Sequence, residues 1–226
     1  MNFLSHFYLL QNNTNPYLVL GMVLPDMVKN HRKSWNLHPQ KHERELNADP
    51  VMSAIRLGWD LHLETDRRFH SSVFFHHHTS QLRKQIIRVL PDRPYRPFFL
   101  AHIALELLLD SLLIIHERVD TGQFYSRLSD CREDEIVRFL EINGIGDAHS
   151  FTPWLHEFIR GEYLFSYRDP EGLAYALDRT GRLVWQTPVS TKAREELADL
   201  LQRYQSNIEN EYLPIFEEIT SYLRLL

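Results

Sequence analysis

The chain has 226 residues, 43% of them apolar and 24% charged, with a formal net charge of -5; this excludes disordered and collagen-like chains and argues against a general nucleic-acid binder. A single cysteine, Cys131, excludes an intramolecular disulfide framework and a thiolate metal site, and fits a reducing compartment. Eight glycines and eleven prolines are too few for an all-β chain punctuated by turns, and thirteen histidines are the one compositional oddity.

The opening MNFLSHFYLL carries neither a basic leader nor a small-residue cleavage site, so the cytoplasm is the expected location. From there helical periodicity dominates. Helices are predicted over 2–10, 16–27, 50–70, 79–90, 96–119, 121–141, 153–166, 170–182 and 190–225, the last bent at Pro214. Asp49 before Pro50 and Asp169 before Pro170 read as N-caps with proline at the first helical position. Residues 30–49 and 186–191 are linker-like, and neither marks a domain boundary. The expectation is one all-α domain over 1–226, a helical bundle of about eight or nine helices. The stretch 98–115 is interrupted by His102, Glu106 and Asp110, so no membrane span is predicted.

Those interruptions are the informative residues. His102, Glu106 and Asp110 recur every four residues in a helix otherwise apolar on every side, and buried carboxylates need a partner. In the helix 50–70, stepping about 100° per residue from Ile55 puts Trp59, His62, Asp66, Phe69 and His70 on one inward face, with Asp60, Glu64, Arg67 and Arg68 opposite. His6 falls beside Phe3, Phe7 and Leu10, also inward. Asp26 follows Pro25 where the second segment restarts, and there a carboxylate either caps backbone N–H groups or binds a cation. No Lys or Arg sits on either inward stripe, so pairing alone satisfies them poorly. A divalent metal held by His6, Asp26, His62, Asp66, His102, Glu106 and Asp110 is the economical reading, and imidazoles with carboxylates suit Mn, Fe, Zn or Mg.

Three stretches carry a family likeness: Met1 to His6, GMVLPDMVKN (21–30) and LHLETD (61–66). In order along the chain they resemble the motifs of the bacterial acyl carrier protein phosphodiesterases, and the helix with Glu106 and Asp110 and the segment FSYRDPEGLAYAL (165–177) continue the resemblance. It implies an HD-domain-like all-α fold, a manganese-dependent hydrolase, and release of 4'-phosphopantetheine from holo-acyl carrier protein. His6, Asp26, Asp66 and Asp110 coincide with the family's polar positions. Gly58 stands where the family has His, His62 where it has Asp, Glu106 for Asp and Ser111 for His. His62, His70 and His102 would restore the ligand count on adjacent turns.

On this reading the metal lowers the pKa of a bound water that attacks phosphorus, Asp66 and His70 are the catalytic residues, and His70 or a metal-bound water protonates the leaving serine alkoxide. The acidic carrier protein is expected to dock near Lys29, Arg32 and Lys33, in a loop that also carries His31, Lys41, His42 and Arg44. His76-His77-His78 receives no role, and Arg168 is a weak phosphate-orienting candidate. Two other readings stay open: a phosphohydrolase of the same scaffold acting on another phosphate ester, and a degenerate module that binds a carrier protein without turnover.

Overall fold

The computed structural model describes residues 1–90, 97–185 and 189–225. Among them are twelve α-helices, three short 3-10 segments and no strand, so the all-α class is as expected. The helices are α1 (Phe3–Leu10), α2 (Pro16–His31), α3 (Glu43–Leu46), α4 (Pro50–Ser71), α5 (Val73–Val89), α6 (Pro97–Ile115), α7 (Thr121–Ser129), α8 (Glu133–Ile142), α9 (Phe151–Gly161), α10 (Pro170–Trp185), α11 (Thr191–Ile208) and α12 (Leu213–Leu223). The start of the helix expected from Arg96 and residues 186–188 of the expected linker lie outside the described residues.

The helix count exceeds the expected eight or nine for local reasons. The segment 121–141 breaks at Asp130, and α8 restarts with Glu133, Asp134 and Glu135 in its first turn, where carboxylates complement the helix dipole. The segment 190–225 breaks at residues 209–212, ahead of Pro214 in the first turn of α12. The linker 30–49 itself contains α3. In the opposite direction, α2, expected over 16–27, runs on through Pro25 to His31. Asp26 is therefore inside a helix, one residue beyond a proline that leaves the Gly21 carbonyl without its usual donor.

The chain gathers into two compact units, each made of separate segments: Met1–Ser5 with Arg67–Arg118 and Leu164–Leu226, and His6–Asp66 with Val119–Tyr163. In the first, α6 packs against α5, α10 and α11 and buries its residues from Ala104 to Ile114 without a break. It is the one described helix long and apolar enough to cross a membrane, with a mean hydropathy of 2.1, and 72% of that window is buried inside the protein. The buried Asp178 accepts from Arg182, Arg194 and the Val189 amide, tying α10 to the start of α11. The elbow between α11 and α12 rests on two histidines. His116 meets Glu209 and the Tyr212 hydroxyl, each at 2.9 Å, and His78 lies 2.9 Å from the Tyr204 hydroxyl and 3.6 Å from Glu211.

In the second unit, α2 packs on α7 and α9, and Phe7, Phe124, Phe139 and Phe151 are fully buried. Here α2 and α4 approach at backbone contact. A Cβ on Gly58 would stand 2.3 Å from the Leu18 carbonyl oxygen, and one on Gly21 would stand 2.1 Å from that of Ile55. Only glycine at both positions admits this crossing.

Candidate metal centre

The close crossing of α2 and α4 is what builds the first group. It brings the Met22 carbonyl to 2.8 Å from Nδ1 of His62, and Asp26, one turn further along α2, to 3.9 Å from its Nε2. Since a carbonyl only accepts, Nδ1 carries the hydrogen and donates it to Met22, which turns Nε2 to the other side. Fixing a histidine through its second nitrogen is how metal ligands are commonly oriented. Asp66, one turn along α4, lies 3.7 Å from that Nε2.

His6 completes the group by stacking on His62, with ring centroids 4.1 Å apart. Its Nε2 stands 3.3 Å from Asp66 Oδ1, yet both of its ring nitrogens are buried without a partner of hydrogen-bonding geometry. Buried polar atoms in proteins are nearly always satisfied. An imidazole without a hydrogen-bond partner beside a second imidazole and a carboxylate is a donor set suited to a borderline cation. His6, His62 and Asp66 each offer a ligand atom, all within 4.8 Å of one another.

The protonation states suit that use. Burial, with His62 stacked alongside, lowers His6 to about 4, against the pull of Asp66. Burial pushes the Asp66 carboxyl up, but positive charge and the His6 imidazole outweigh it and hold the group well below the usual carboxylate range. At neutral pH the group therefore combines a neutral His6 with an ionised Asp66, the forms that bind metals. The imidazoles form a buried floor, and the carboxylates of Asp66 and Asp26, 27% and 36% exposed, form the rim.

The depressed pKa of His6 has a measurable consequence. The neutral ring is favoured in the folded chain, so the unfolded chain takes up the extra proton, and its stabilising effect is lost as pH falls from 6.5 toward 4. For metal-free protein, replacing His6 with phenylalanine is expected to remove on the order of 3 kcal/mol of acid sensitivity over that window. Urea midpoints of the two proteins from pH 7 to 4.5 read it directly, and parallel profiles would show that His6 does not titrate there.

A second group stands in the other unit. His102 Nε2 and His70 Nε2 lie 2.8 and 3.3 Å from Glu106 Oε1, and the three residues again place ligand atoms within 4.8 Å of one another. Burial pushes the Glu106 carboxyl up, but the Met1 amine, 3.1 Å away, and the two imidazoles bring it well below the usual carboxylate range. Two His/Asp/Glu groups could thus hold a metal ion. Of the residues that the sequence pools into one set, His6, His62 and Asp66 fall in the first group and His102 and Glu106 in the second, where His70, read from the sequence as a proton donor, joins them.

Asp110 joins neither group. It is fully buried, its Oδ1 accepting from the Ser5 amide at 2.7 Å and the Ser5 hydroxyl at 2.6 Å, its Oδ2 from the Leu4 amide at 3.1 Å. These amides are the orphan donors of the first turn of α1, so Asp110 caps that helix from α6. Burial pushes its pKa up to about 7, against the pull of those donors. Ser111, beside it, accepts a hydrogen bond from Gln205 at 2.6 Å.

Two of the cations expected to dock a carrier protein, Lys29 and Arg32, are engaged within their own unit. Lys29 donates to the carbonyls of Lys33 and Trp35 and to Asn36 Oδ1, at 3.3, 2.7 and 2.6 Å, and Arg32 pairs with Asp147 at 2.8 Å. In the histidine run, His76 and His77 are exposed while His78 is buried against Tyr204. Arg168 is exposed. Sequence reasoning missed the Met22 carbonyl, which no residue pattern advertises, and the pair of Gly21 on α2 and Gly58 on α4, which signals a close approach only once the two helices are known to cross. No family model, curated protein or solved structure matches this chain.

Proposed function

We propose that the protein is a metal-dependent phosphodiesterase centred on His6, His62 and Asp66, with 4'-phosphopantetheine on an acyl carrier protein as its substrate. The observation that carries the reading is the orphaned, neutral His6 stacked on an oriented His62 beside an ionised carboxylate. The likeness of residues 1–6, 21–30 and 61–66 to the carrier-protein phosphodiesterases supports the substrate. Manganese is the proposed ion, and a divalent cation there supplies Lewis acidity toward a phosphoryl oxygen and toward water.

The chain's own part is to prepare that chemistry. His6 and His62 donate ring lone pairs from the buried floor, and the Met22 carbonyl holds His62 in register. Asp66 supplies the negative charge. Asp26, at the rim, offers Oδ1 as a proton acceptor within reach of solvent.

The test is release of 4'-phosphopantetheine from holo-acyl carrier protein by manganese-loaded protein, with bis(p-nitrophenyl) phosphate as a generic diester. Asp66→Ala and His62→Ala are expected to lower turnover by at least about 100-fold while leaving the helical circular dichroism in place. Failure of the loaded wild type on both diesters overturns the proposal, and retained activity in Asp66→Ala removes that residue from the centre.

A further inference from the structure

Glu106 Oε1 is the meeting point of three nitrogens: His102 Nε2 at 2.8 Å, the Met1 amine at 3.1 Å and His70 Nε2 at 3.3 Å. One carboxylate oxygen has two lone pairs, so three N–H groups aimed at it are more donors than it can serve well. The two imidazoles reach it from separate helices, His102 one turn before Glu106 on α6 and His70 from the end of α4. Both rings are held edge-on against Phe75, at centroid distances of 4.9 and 5.0 Å. Their orientation is thus set by packing as well as by Glu106. The carboxylate is buried, while the His70 and His102 side chains are 31% and 26% exposed, so an ion from solvent reaches the nitrogens first.

We propose that His70, His102 and Glu106 form a second divalent-cation site, independent of the His6 group, that takes zinc-like transition ions in preference to magnesium or calcium. Two imidazoles and one carboxylate are a recurrent ligand set for such ions, and the oxygen-preferring cations gain little from the nitrogens. With the hydrogen on Nδ1, each imidazole gives its Nε2 lone pair to the ion, which neutralises Glu106 in place of the Met1 amine.

The experiment is zinc and cobalt(II) titration against a chromophoric chelator, in a His76→Ala/His77→Ala background that removes the exposed part of the histidine run. The full chain is expected to bind two equivalents, His6→Ala/Asp66→Ala one, and His102→Ala/Glu106→Gln one, with millimolar magnesium not competing. If the His6→Ala/Asp66→Ala protein binds none, or if His102→Ala/Glu106→Gln still binds two, the second site is overturned. A measurement without ligand substitutions covers the case in which a variant fails to fold: at two equivalents of cobalt(II), the imidazole proton resonances of His70 and His102 are expected to show paramagnetic shifts. Unshifted resonances overturn the site too. Because the readout is stoichiometry and spectroscopy, it stands or falls separately from phosphodiesterase activity.

Discussion

Replacing Gly58 with alanine is expected to cost about 3 kcal/mol of stability and to weaken metal binding at the His6 group by about 10- to 100-fold. The added Cβ would stand 2.3 Å from the Leu18 carbonyl oxygen and 2.7 Å from the Met22 amide nitrogen. Both obstacles are backbone atoms and no rotamer change relieves them, so α2 and α4 must move apart. The same separation draws the Met22 carbonyl away from His62 Nδ1, the contact that aims Nε2 at the group. Guanidinium unfolding followed by circular dichroism, together with manganese affinity of the variant, checks both effects. Wild-type values for both would mean that the crossing yields without cost and that His62 does not depend on Met22.

The second large effect is expected at Asp110. Its replacement by alanine leaves the Leu4 amide, the Ser5 amide and the Ser5 hydroxyl inside the protein without their acceptor. Stranding three buried donors, with the cavity left by the carboxyl, is expected to cost about 4 kcal/mol. Equilibrium unfolding measures the loss. The companion measurement is metal stoichiometry on whatever fraction remains folded, which is expected to equal that of the wild type because Asp110 belongs to neither group. Loss of one equivalent with little loss of stability would return Asp110 to the metal ligands, where the sequence first places it.

The contrast between Asp110 and Asp66 shows what periodicity carries and what it omits. Both carboxylates lie on inward stripes with a four-residue repeat, and an inward carboxylate needs partners whichever element supplies them. The stripe predicts that need, and so the all-α class and the inward placement of His6, His62, Asp66, His102 and Glu106 were legible. It does not say whether the partner is an imidazole, a cation or the amides of a distant helix end, since that depends on contacts between segments about a hundred residues apart. Gly58 is a related case. As a missing histidine in a motif it looks like a loss, whereas in the structure it is the gap through which α2 reaches α4. Pro25 is the reverse, a residue whose usual effect ends a helix, here carried through by a segment buried from Leu18 to Leu24.

The elbow at residues 209–212 bears on the order in which the molecule assembles. Its fastenings join residues 93, 96 and 126 positions apart: His116 with Glu209 and Tyr212, and His78 with Tyr204. Pairings of that range reward the chain only after a long loop has been closed, so they belong to the late part of folding. The hydroxyl partners of both histidines come from the far end of the chain. Seating α12 therefore reports completion of the helices laid down a hundred residues earlier, and a chain arrested before that point would carry its last helix unanchored.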